Sequence, residues 1–101
     1  GDVYKRQEYL QACRQSLDEI QKLTESFMDE YTIIITADHG GHDRTHGSLE
    51  KEDMLIPLIC IGPDFCPGSR FEQAGICDIA PTITRLSGAS PAREWEGNSL
   101  I

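Results

Sequence analysis

The sequence has no apolar run long enough to cross a membrane. The longest, Met54 to Ile61, is interrupted by Pro57 and falls far short of the ~20 residues a spanning helix needs. Positive charge is also scarce: nine Lys and Arg stand against seventeen Asp and Glu in 101 residues, a formal charge of −8. Lys5-Arg6, Lys22 and Lys51 form no patch. Phosphate backbones and anionic lipids recruit clustered Lys and Arg, so a nucleic-acid-binding surface or an acidic-membrane surface is excluded. The four cysteines, Cys13, Cys60, Cys66 and Cys77, lack C-x-x-C spacing, which excludes the paired knuckles of a structural zinc site. Cys13, Cys60 and Cys77 fall on a helix stripe, in a strand and beside a helix start, where they read as small apolar filler. No initiator methionine opens the chain, and Gly1-Asp2-Val3-Tyr4-Lys5-Arg6-Gln7 reads as a non-native scar, leaving residues 8–101 for fold reasoning.

What is present suits a globular fold of one domain at most. Apolar residues make up 39% and charged residues 26% of the chain, and a chain of this size buries roughly 65% of its unfolded surface. From Glu8 to Met28 the residues Leu10, Cys13, Leu17, Ile20, Leu23 and Phe27 recur every three or four positions, predicting an amphipathic helix. Tyr31 to Ala37 is a β-branched run without alternation, as expected of a central parallel strand covered on both faces. Ile56 to Ile61 predicts a second buried strand, entered through Pro57. A turn-rich loop, Gly62 to Ser69, follows. Asp78 is placed as the N-cap of a helix over Ile79 to Leu86, with Pro81 in the first turn and Gly88 past its end. Trp95 and Leu100 are expected to anchor the tail.

Polar chemistry starts where the first strand stops. Asp38-His39-Gly40-Gly41-His42-Asp43-Arg44-Thr45-His46-Gly47 gathers all three histidines of the chain within eight residues. In open α/β sheets, loops beyond the carboxyl ends of strands are where ligands bind. A carboxylate and an imidazole suit Zn²⁺, Mn²⁺ or Fe, and the glycines allow the chain to turn so that neighbouring side chains reach one ion. Asp38, His39 and His46 are therefore candidate metal ligands. His42 and Arg44 are candidates for supporting contacts or for meeting an anionic substrate. The His42/His46 spacing of four does not make a zincin helix, because no Glu follows His42 and glycines flank the pair.

Ile35 to Gly47, followed by Glu52-Asp53-Met54, Ile56-Pro57, Asp78-Ile79-Ala80-Pro81-Thr82 and Trp95 to Leu100, resembles the C-terminal metal motif and tail of the alkaline phosphatase superfamily. The type I phosphodiesterase/nucleotide pyrophosphatase-like branch is the nearest in flavour. The resemblance implies an α/β fold, the C-terminal part of an alkaline-phosphatase-like three-layer sandwich with a mostly parallel central sheet. It also implies a metal-dependent hydrolase of phosphate esters holding two divalent metal ions, Zn or Mn. Asp38 and His39 match ligands of the ion that activates the nucleophile, and His46 a ligand of its partner.

The family's nucleophile and remaining ligands lie upstream of this motif, where Thr24, Ser26 and Thr32 have no matching context. No catalytic residue is therefore assigned within the chain. It reads as the C-terminal portion of a larger hydrolase domain, inactive alone, whose partners are a small phosphate ester and the missing N-terminal part. Two other readings stay open: a sulfatase of the same superfamily, suggested by Lys51 near Pro57, and a non-catalytic zinc-binding module.

Overall fold

A computed structural model describes residues 2–41 and 54–101, without the side chains of residues 2–5. The chain divides into two compact units, Gly1–Ile33 and Ile34–Ile101. The first is helix α1, Asp2–Phe27. It starts ahead of the expected Glu8 because no glycine or proline after Gly1 interrupts helical backbone there. Gln21 Nε2 donates to Glu25 Oε1 one turn on, at 3.1 Å. The helix closes where the Glu30 and Tyr31 amides both donate to the Phe27 carbonyl, and the Phe27 and Tyr31 rings meet edge to face at 5.7 Å. Leu10, Leu17, Ile20, Leu23 and Phe27, the predicted apolar stripe, are exposed.

The second unit contains most of strand β1, Ile33–Thr36, which pairs with β2, Leu58–Ile61. Both lie inside the predicted runs, but their arrangement corrects the expected fold. Among the described residues there are two short antiparallel strands and two helices, not a mostly parallel three-layer sandwich. The Thr36 hydroxyl at the end of β1 donates to the carbonyl of Pro57, just ahead of β2, at 2.8 Å, so the chain re-enters beside the point where it left. A β-branched run announces a strand; it carries no information about direction or about how many neighbours the strand has. The connection of about twenty residues is long enough for a parallel crossover, which is why the sequence alone favours the wrong direction of pairing.

Beyond β2, the turn Gly62–Phe65 carries Pro63 at its second position, and Cys66–Ser69 has Pro67-Gly68 at its centre, the sequence of a type II turn. A 3₁₀ turn, Ile76–Asp78, leads into helix α2, Ile79–Leu86, whose bounds match the prediction. Its end is a Schellman motif. Gly88 has φ of +79°, its amide donates to Arg85, and the Ala89 amide donates to Thr84. Pro81 and Thr82, on the first turn of α2, are the fully buried side chains among the described residues, and no large apolar side chain is buried with them.

Candidate metal centre

The end of β1 delivers Asp38 and His39 into a stretch without regular structure. Asp38 is 89% exposed and His39 48%. His39 Nδ1 lies 2.6 Å from the carbonyl oxygen of Gly40. A carbonyl only accepts, so Nδ1 carries a proton, and in the neutral ring the lone pair belongs to Nε2. Nε2 stands 3.7 Å from Asp38 Oδ1. Two ligands on one tetrahedral ion with bonds of 2.0–2.2 Å are roughly 3.3–3.6 Å apart, so the oxygen and the nitrogen stand close to the spacing a shared ion requires. A backbone carbonyl that fixes the tautomer is also the usual support of a metal-binding histidine. The donor set therefore fits a divalent ion of the zinc or manganese type.

His42, Arg44 and His46 lie outside the described residues. Among the described residues, no group of three or more His, Cys, Asp or Glu side chains converges on one point. Asp38 and His39 line a cleft of about 1100 Å³ in the second unit, together with Leu55, Ile59, Phe65 and Phe71. Phe65 and Phe71 pack edge to face with ring centres 6.3 Å apart. Cys60, Cys66 and Cys77 also reach this cleft as free thiols, and partial burial pushes the Cys60 thiol up from its ordinary value. Cys77 is exposed, not the buried filler its place in the sequence suggests, because the 3₁₀ turn before α2 holds it at the surface.

A second polar cluster, unforeseen in the sequence, surrounds the start of α2. Asp78 does not cap that helix with its side chain. Its carboxylate instead accepts from two backbone amides, Asn98 at Oδ1 and Gly75 at Oδ2, both at 2.8 Å. These bonds, Asn98 first and Gly75 second, hold the Asp78 carboxyl below the usual aspartate range. The Thr82 hydroxyl donates to the Asp78 carbonyl at 2.7 Å and accepts from the Leu100 amide at 2.9 Å. Gly97 passes so close that a Cβ there would lie 1.9 Å from the Cys77 carbonyl oxygen. The tail is thus fastened by backbone amides, while Trp95 remains exposed. Only the pairing of Asp78 with a glycine-containing tail hints at this in the sequence.

The family model of the Metalloenzyme superfamily matches residues 1–91. Phosphopentomutase of Edwardsiella ictaluri is 41% identical over 59 residues, covering 58% of this chain and 14% of that protein. The 2,3-bisphosphoglycerate-independent phosphoglycerate mutase of Bacteroides thetaiotaomicron is 31% identical over 75 residues, 71% of this chain and 15% of that protein. The corresponding enzyme of Coxiella burnetii is 30% identical over 109 aligned positions, 100% of this chain and 20% of that protein. The chain spans about a fifth or less of the length of these relatives. No solved structure matches. The relatives correct the expected branch: they are phosphomutases, not type I phosphodiesterases or nucleotide pyrophosphatases.

Proposed function

Because this chain belongs to the Metalloenzyme superfamily, we propose that it binds a divalent ion, zinc or manganese, through Asp38 and His39, with His46 serving a second ion. The complete protein then transfers a phosphoryl group of a small phosphate ester in the manner of a phosphomutase. The observation that carries this reading is the Asp38–His39 pair: a carboxylate oxygen and an imidazole nitrogen 3.7 Å apart, with the other ring nitrogen tied to the Gly40 carbonyl. The mutase names of the relatives support a phosphate-ester substrate.

A bound ion of this kind supplies positive charge that lowers the proton affinity of an attacking hydroxyl and neutralises phosphate oxygens. Asp38 contributes an anionic oxygen to hold it. The Gly40 carbonyl accepts from Nδ1 of His39 and orients the ring, which makes Nε2 the nitrogen that would meet the ion. The attacking hydroxyl and the remaining ligands are assigned to residues outside this chain, which serves as the C-terminal portion of a larger domain.

Two measurements test the reading. A calorimetric zinc titration of the 101-residue chain should show binding that Asp38→Ala and His39→Ala each abolish, with no phosphate-ester turnover by the chain alone. In a chimera, this chain replaces the aligned segment of the Coxiella burnetii mutase. Mutase activity in that chimera should fall by several orders of magnitude on Asp38→Ala. Full activity in the Asp38→Ala chimera would overturn the proposal.

A further inference from the structure

The cleft that Asp38 and His39 line has one cationic side chain among its described lining residues, Arg70. Arg70 is exposed, and it makes no ion pair or side-chain hydrogen bond with any described residue. Glu72 lines the same cleft but is not paired with it. Such placement is unusual in a chain of formal charge −8, where carboxylates outnumber cations almost two to one. A guanidinium offers five N–H donors in a planar fork that matches two phosphate oxygens at once. It follows the Cys66–Ser69 turn, in which the Ser69 amide and hydroxyl both bond to the Cys66 carbonyl, at 3.1 and 2.7 Å, so its backbone is held at the rim. The Phe65 and Phe71 rings, on either side of Arg70 in sequence, pack on one another and brace the same segment.

We propose that Arg70 is a specificity-determining residue that binds a phosphate group of the substrate within the Asp38–His39 cleft. The inference rests on the metal-site reading above. Arg70 supplies hydrogen bonds and positive charge to non-bridging phosphate oxygens, and it selects anionic esters over neutral ones in a protein whose overall field repels anions.

The test uses the 101-residue chain loaded with zinc, and phenyl phosphate as probe, followed by calorimetry. Zinc affinity is measured first and separately. Arg70→Gln should leave zinc binding unchanged and weaken phenyl phosphate about five- to tenfold, the loss expected for charged hydrogen bonds at an open site. Arg70→Lys should recover part of that loss. Arg85→Gln removes the same charge from α2, away from the cleft, and should change nothing. The difference between wild type and Arg70→Gln should shrink as salt is raised. Three results overturn the inference while leaving the metal reading intact: equal phosphate affinity in Arg70→Gln, an equal loss in Arg85→Gln, or no phosphate binding by the zinc-loaded chain. Failure of the wild-type chain to bind zinc overturns both.

Discussion

Asp38 and Asp78 are the same residue in opposite circumstances. Asp38 follows a strand, is 89% exposed, and has an imidazole nitrogen 3.7 Å from one oxygen. Asp78 precedes a helix, and its two oxygens are taken by the amides of Asn98 and Gly75. A carboxylate whose acceptor capacity is engaged by backbone is a fastening. One left open to solvent beside a tautomer-fixed histidine keeps acceptor capacity to offer, and that is the ground on which Asp38 is proposed as a ligand. The contrast teaches that function at an aspartate is read from where its lone pairs go, not from its neighbours in sequence.

Substitutions around the two residues sharpen that contrast, and the largest effect belongs to the fastening. Gly97→Ala places a methyl group 1.9 Å from the Cys77 carbonyl oxygen, an overlap that costs about 1–3 kcal/mol or displaces the tail. Amide hydrogen exchange at Asn98 and Leu100 should accelerate by up to about a hundredfold on that scale. Thr82→Val keeps the shape of a side chain only 1% exposed but removes the acceptor of the Leu100 amide. About 1–2 kcal/mol is expected, read as faster exchange at Leu100 with Asn98 less affected.

The third prediction concerns pH. Because the folded pKa of Asp78 is lowered, its stabilisation is present above the ordinary aspartate pKa of about 3.9 and is lost as pH falls through the lower folded value. Protection of the Asn98 amide, corrected for intrinsic exchange, should fall below about pH 4 in the wild type. In Asp78→Asn it should already be low at pH 6 and nearly flat with pH. The smallest structural effect is expected at the other aspartate. Asp38→Asn should leave all of these amides as protected as before while abolishing zinc binding. If it disturbs the tail amides, the division between fastening and ligand fails.

The same contrast marks what the sequence makes legible. Helix α2 is readable to its ends because its signals are local: Pro81 in the first turn and Gly88 beyond the last. Strand β1 is readable as a β-branched run and β2 as an apolar run entered through Pro57, but their antiparallel pairing is not, since it depends on where the chain returns after Thr36. Asp78 holds the N-cap position the sequence predicts, but its carboxylate serves the amides of Gly75 and Asn98 instead of the helix's own, and Asn98, twenty residues on, is beyond a local reading. At the candidate site, the adjacency of Asp38 and His39 is plain in the sequence, yet the Gly40 carbonyl that fixes the ring is visible only in the structure. His42, Arg44 and His46 fall outside the described residues, so the reading of those positions rests on their clustering in the sequence and on the family resemblance. The branch is not legible from the motif: the resemblance points to phosphodiesterases, whereas the relatives are phosphomutases.

The hydrogen bond from His39 to Gly40 has a practical consequence. All three histidines of the chain lie between His39 and His46, so every imidazole nitrogen resonance of a ¹⁵N-labelled sample originates in this one stretch. His39 enters with its Nδ1 protonated, which sets it apart by nitrogen shift from a ring protonated at Nε2. The molecule thus contains its own spectroscopic reporter, silent about the rest of the fold and free of any attached label.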